Sequence, residues 1–238
     1  MLDCIIVGQG IAGTSLSIEL EKEGFNIMII KDKHKSYASK IAAGLIQPIS
    51  GKFLTLNKFI HNHFDTIINF YKDLEVLTKS SFFKKANTYL YLNYTQEKIY
   101  KKKSKKTVFS ELLSPVLAKQ DYSNHSQNAY KLSNCFLVDT HTIFKSVESY
   151  FINKKKLLYD NFDEAYLEIK HDYISYKQKK AKYIIFCTGS NSNNLSYFNP
   201  FSFQQVKGEV LTLNQKNKNI NYIIQNDKWC VPISDNQF

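Results

Sequence analysis

The sequence predicts an α/β protein with a parallel sheet started by a β-α-β crossover. Three observations carry the prediction. The chain opens on an apolar run, Cys4 to Val7, followed at once by Gly8, Gly10 and Gly13 and then by a helical pattern. A second apolar run, Phe25 to Ile30, comes after that helix. A third, Lys182 to Cys187, runs straight into Thr188-Gly189-Ser190. Continuous apolar runs bounded by turn residues read as buried strands of a parallel sheet.

Each glycine of the G-x-G-x-x-G has a mechanical reading between a strand and a helix. Gly8 makes the tight turn, Gly10 lets the backbone approach a pyrophosphate, and Gly13 lets the helix pack closely on the strand. The helix N-terminus then offers free N–H groups and a dipole that favours anions. From Ile11 to Glu23, Ala12, Leu16 and Leu20 form a stripe, and Gly24 ends the helix. Residues 3–30 are thus a complete β-α-β unit, whose crossover is right-handed. A carboxylate that binds ribose hydroxyls belongs about 20 residues beyond the glycines. That position holds Lys31, with Asp32 beside it. Either Asp32 does the work after a one-residue adjustment, or ribose binding is weakened.

The stretch Ser39 to Lys52 is punctuated by Gly44, Pro48 and Gly51 and rich in small residues. It fits a backbone passing close to a ligand, and it fits a plain loop equally well. Residues 54–77 carry apolar positions at Ile60, Phe64, Ile67, Ile68, Tyr71 and Leu74, a long amphipathic helix. His61 and His63 lie two apart on different faces of it, which suits surface histidines better than a metal pair. Thr88 to Tyr94 alternates as a strand, and residues 95–135 mix short helical pieces with polar loops. Asp139 caps a helix with an apolar face of Ile143, Phe144, Val147 and Phe151. Two or three short strands lie between Leu157 and Lys177. Gln205 to Leu213 reads as a glycine leading into an alternating strand, with further strands at Tyr222–Ile224 and Trp229–Ile233.

Composition narrows the function. A 43% hydrophobic fraction in 238 residues supports a folded core and argues against disorder. No apolar run approaches the about 20 residues that span a bilayer, and the opening lacks a secretory pattern. The four cysteines stand far apart, and Cys4 and Cys187 lie inside apolar runs, so free thiols are expected and the protein reads as cytoplasmic. The net charge of +11 invites a nucleic-acid reading. Every basic residue is lysine, however, and arginine supplies the bidentate contacts that read guanine and grip phosphate. A solvated lysine-rich surface is the better account, with Lys101–Lys106 as an exposed loop.

In the order of these segments the chain resembles the D-amino-acid-oxidase-type FAD-dependent oxidoreductases, which share a glutathione-reductase-like fold. Val7-Gly-Gln-Gly-Ile-Ala-Gly-Thr14 is similar to that family's FAD fingerprint, and Ser39 with Ala42–Lys52 to its second flavin-contacting stretch. Ile184–Gly189 resembles the later strand that meets the FAD, and Lys207–Leu211 the start of the substrate-domain sheet. The resemblance implies a Rossmann-like FAD-binding domain over residues 1–80 and 137–198, with an inserted α+β substrate domain over 81–136 and 199–238. It implies FAD contacts at Gly8, Gly10, Ile11, Ala12, Gly13, Asp32, Ser39, Ala42, Ala43, Gly44, Leu45, Thr188 and Gly189. Two departures stand out: Lys31 occupies the place of the ribose-binding acid, and the family's chains run about a hundred residues further. The expectation is a C-terminally truncated relative whose last strand and helix are missing.

The resemblance further implies a flavoprotein oxidoreductase that oxidises a C–N bond of a small-molecule amine or amino acid by hydride transfer to the flavin. No acid–base pair stands out, so no catalytic residue is named, and no metal site is expected. Two other readings stay open. Some members of the resembled family oxidise a modified wobble uridine of tRNA, a partner that +11 would suit. Alternatively the chain is a non-catalytic relative that binds flavin weakly or not at all.

Overall fold

The first strand, β1 (Leu2–Val7), buries its last four residues, as a strand covered on both faces must. This computed structural model describes residues 1–32, 37–116, 128–214, 221–226, 228–233 and 237. Helix α1 (Ile11–Lys22) comes next, then β2 (Ile27–Lys31) and a short α2 (Ala38–Ile41). The stripe that α1 buries is Gly13, Thr14, Ser17 and Ile18, while Ala12 is exposed and Leu16 and Leu20 are half-buried. Close approach selects this face: small side chains let the helix axis come nearer the sheet than a leucine stripe would. Gly24, at φ +81°, ends α1. Its N–H donates to the Glu21 carbonyl and the Phe25 N–H to that of Leu20, the pairing of a Schellman cap.

The chain forms two compact units, Met1–Ala42 with Thr140–Glu209 and Ala43–Asp139 with Val210–Phe238. The first boundary falls well before residue 80, because the short β3 (Leu45–Ile46) and the helices after it lie in the second unit, where β3 also finds its pairing partner. In that unit β4 (Ile49–Ser50) and β5 (Thr55–Leu56) form a small hairpin. The long helix expected over 54–77 is two: α3 (Lys58–Asn62) and α4 (Phe64–Thr78). His63 interrupts them with φ −122°, ψ 25°, and the Asn57 side chain starts α3 by accepting from the Ile60 N–H. The apolar period runs through both helices, and the local cap and break override it. His63 stacks on Phe59 at 4.4 Å, and its Nδ1 lies 2.9 Å from the Phe59 carbonyl oxygen. Among the described residues no group of three or more His, Cys, Asp or Glu is placed to hold a metal.

Next come β6 (Phe83–Lys85), β7 (Thr88–Leu92), α5 (Tyr94–Lys103) and α6 (Thr107–Leu112). Tyr71 of α4 stacks on Phe83, and Phe83 on Phe136, so aromatic faces bind the helix to the strands. Asn93 and Gln96 form a reciprocal capping box at the start of α5. Lys101, Lys102 and Lys103 therefore lie in a helix and not a loop, in the last turn, where the dipole favours cations. Asn93→Ala is expected to cost about 1 kcal/mol, read as a small Tm loss; no loss would sink the cap. Sequence patterning misses β8 (Leu113–Val116) and β9 (Asn128–Leu132). Pro115 argues against a central strand, and β8 is in fact an edge strand, where a missing N–H is tolerated. β10 (Phe136–Val138) lies between β3 and β6.

The first unit resumes with α7 (Thr140–Asn153), directly after Asp139, with the expected buried face of Ile143, Phe144, Val147 and Phe151. After it come β11 (Leu157–Tyr159), β12 (Leu167–Ile169), β13 (Ile174–Tyr176) and β14 (Lys179–Phe186). The six-stranded sheet has the order β11-β2-β1-β14-β13-β12. Its first four strands are parallel and its last three form an antiparallel meander. β14 is less buried than its composition suggests, with only Ala181 fully covered and Tyr183 64% exposed. Ile5, Val7, Ile30, Ile174, Tyr176 and Ala181 make the core of this sheet.

The second unit ends with β15 (Ile223–Asn226) and β16 (Lys228–Cys230), which complete a five-stranded sheet of order β16-β15-β7-β9-β8. Gln205–Leu213, by contrast, forms no strand; Val206, Val210 and Leu211 are 83%, 59% and 77% exposed. Alternation makes a strand only where a neighbour offers a ladder, and no described strand pairs with it. All four cysteines are free.

Candidate functional site

The carboxyl end of β1 carries the site. The chain leaves β1 through α1 to β2 on one side, while β14 flanks it on the other. That reversal is a topological switch point, where open α/β sheets bind ligands. Register brings Val7 opposite both Ile30 and Phe186, so three strand ends converge there. Gly8 then turns the chain at φ +103°, and a Cβ on it would lie 2.4 Å from the Cys187 carbonyl oxygen. Gly13 is tighter still: its Cβ would meet the Gly8 carbonyl oxygen at 2.0 Å. These contacts realise the turning and close-packing roles that the motif assigns to the two residues.

A cavity of about 940 Å³ opens over this turn, wholly within the first unit. Of the residues expected at a cofactor, Gly8, Gly10, Ile11, Ala12, Asp32, Ser39, Thr188 and Gly189 stand in its wall. Gly13 lies against the turn instead. Ala42 comes after α2, and its carbonyl accepts from the Thr140 hydroxyl at 3.1 Å. Ala43, Gly44 and Leu45 belong to the second unit; the Gly44 carbonyl accepts from the Val138 N–H and Leu45 pairs with Leu137.

Ser39 has a role the sequence does not show. Its Oγ accepts the Ile11 N–H at 3.1 Å and so supplies from α2 the side-chain cap that Gly10, at the N-cap of α1, lacks. Thr188 and Ser192 share a hydroxyl–hydroxyl bond of 2.8 Å on the other rim.

At the end of β2, Lys31 is only 8% exposed, and its ammonium meets Glu148 of α7 at 2.7 Å. The Tyr159 hydroxyl donates to the same carboxylate at 2.5 Å. Burial pushes the Glu148 carboxyl up, but the Lys31 ammonium and the Tyr159 hydroxyl outweigh it and hold the group below its ordinary range. In return, the bond to Glu148, with burial, pushes Tyr159 up to about 12. Tyr37 reaches about 12 through burial and the Glu148 charge. Glu148 completes the i, i+4 spacing from Phe144 at the edge of an apolar stripe, but nothing in the sequence ties it to Lys31.

Gln9, between the first two glycines, is a second residue that motif spacing passes over. It is one of the residues around the cavity and is 4% exposed, and among the described residues neither its Oε1 nor its Nε2 has a hydrogen-bond partner. Burying such an amide costs about 1–3 kcal/mol. A glycine cradle and a helix N-terminus at the cavity together fit a bound dinucleotide.

The parallel sheet, the glycine turn at its switch point and the antiparallel meander define a mixed α/β fold. The same fold occurs in solved structures of two glycine oxidases and an iminodiacetate oxidase. Glycine oxidase from Bacillus cereus ATCC 14579 superposes with a TM-score of 0.76 at 17% identity, over 100% of this chain and 70% of that one. Glycine oxidase from Geobacillus kaustophilus gives 0.74 at 14% identity, over 99% and 69% of the two chains. Iminodiacetate oxidase from Chelativorans sp. BNC1 gives 0.69 at 14%, over 98% and 69%. No family model matches the chain. Among the described residues no helix is long and apolar enough to cross a membrane.

Proposed function

We propose that the first unit binds FAD and that the protein is an FAD-dependent oxidoreductase acting on the C–N bond of an amine or amino acid. The observation that carries this reading is the glycine cradle at the switch point, in a fold shared with oxidases named for glycine and iminodiacetate. FAD, when bound, supplies the acceptor for a hydride leaving the carbon of that bond. The chain's own residues bind and orient. The Gly8–Gly13 loop and the N–H groups of α1 take the pyrophosphate; Ser39 fixes the entry of that helix; Thr188 and Gly189 close the opposite rim. Asp32 meets the ribose, while the Lys31 ammonium beside it is held by Glu148. The antiparallel sheet of the second unit is the substrate-binding part in this reading, and four free thiols suit a cytoplasmic setting.

Purified protein incubated with FAD and then desalted is expected to stay yellow, with flavin absorbance that bleaches anaerobically on adding a small amino acid. A protein that remains colourless after incubation overturns the proposal and leaves a fold without its cofactor.

A further inference from the structure

The segment from Phe203 to Leu213 is apolar in much of its length, yet every one of its residues is exposed. Among the described residues, no backbone N–H or carbonyl from Phe203 to Thr212 bonds another backbone group. Gln205 Nε2, donating to the Ser190 carbonyl at 2.6 Å, tethers its start. Lys207 and Glu209 form an ion pair at 2.6 Å, so residues two apart share a face, as they do along a strand. A run with free ladder groups and apolar side chains is a template for another strand.

The order of its residues says which strand. Set antiparallel against itself about Gly208, the run places Val206 opposite Val210, Lys207 opposite Glu209 and Phe203 opposite Leu213. Gln204 then faces Thr212, and Gln205 opposite Leu211 is the one mixed pair. Gly208 lies on the axis, with nothing within 4 Å of its Cβ position. Moving the axis one residue either way sets Lys207 on Lys207 or Glu209 on Glu209, which repel.

We propose that Phe203–Leu213 is an interaction surface whose partner is the same segment of a second copy of this chain, paired antiparallel about a two-fold axis through Gly208. The interface is isologous, so each contact occurs twice. The ion pair that each chain makes within itself is exchanged for two across the axis, and no charge is left alone. The valines of both copies meet on one face, and Phe203 and Leu213 on the other. Pairing over so short a run gives a weak dimer, with a Kd of about 10–100 µM.

Sedimentation of the whole chain over a concentration series spanning that range tests the proposal. Lys207→Glu alone and Glu209→Lys alone each set like charges opposite one another twice per dimer, and each is expected to weaken dimerisation about tenfold. The double variant, Lys207→Glu with Glu209→Lys, restores opposite charges and is expected to return to within about threefold of wild type. Both side chains are exposed, so these changes leave the fold intact. Wild-type chain that stays monomeric throughout the series overturns the proposal. So does a dimer that the single variants leave unchanged, or one that the double variant fails to recover, because either result puts the contact elsewhere.

Discussion

Gly13→Ala is expected to lower Tm by about 10 °C and to abolish retention of FAD through desalting. The added methyl would sit 2.0 Å from the Gly8 carbonyl oxygen and 3.3 Å from Cys187 Cβ. The first of these is backbone, held from both sides, because the Gly8 N–H donates to the Ile30 carbonyl and the Cys187 N–H to that of Val7. No flexible side-chain end can swing away, so the turn itself must move. Overpacking of this kind costs about 3 kcal/mol, or about 10 °C in a chain of this length. Gly24→Ala is the control. Gly24 has φ +81° with open space around its Cβ position, so backbone strain is its only cost, about 1 kcal/mol. Equal effects at the two positions would sink the packing argument.

Glu148→Gln carries the second large effect, about 2–3 kcal/mol at neutral pH. The Lys31 side chain is 10% exposed and that of Glu148 25%, so removing the carboxylate strands an ammonium that water reaches poorly. Replacing both partners, Lys31→Met with Glu148→Leu, is expected to recover most of the loss, since no charge is then left without a partner. Acid tests the same pair. The Glu148 carboxyl is held below its ordinary value of 4.5, so its contribution is complete above that value and is lost as pH falls through the folded one. The Tm gap between wild type and Glu148→Gln should therefore close in acid. A gap of the same size well below pH 4.5 would contradict the ion pair.

The first unit is the more legible half, for a physical reason. Strands buried on both faces leave continuous apolar runs, and a glycine cradle leaves fixed spacings, so β1, α1 and β2 can be read directly from residues 3–30. In the second unit the determinants are not local. Pro115 looks like a strand breaker and marks an edge; the cap at Asn57 and the break at His63 divide a helix whose apolar period runs through both; Val210 to Leu213 continues an alternating run that no described strand pairs with. The site divides the same way. Its backbone geometry is written in glycines, whereas Glu148 reaches Lys31 only through the fold. Gln9 occupies a motif position at which the spacing rule places no demand.

The Ser39 hydroxyl gives this site a further property. It holds a neutral oxygen where the field of α1 is most positive, so the helix end is never bare. If FAD binds as proposed, an arriving phosphate oxygen joins or displaces an acceptor already seated on α2. In that case little of the binding free energy would be consumed in ordering this part of the wall.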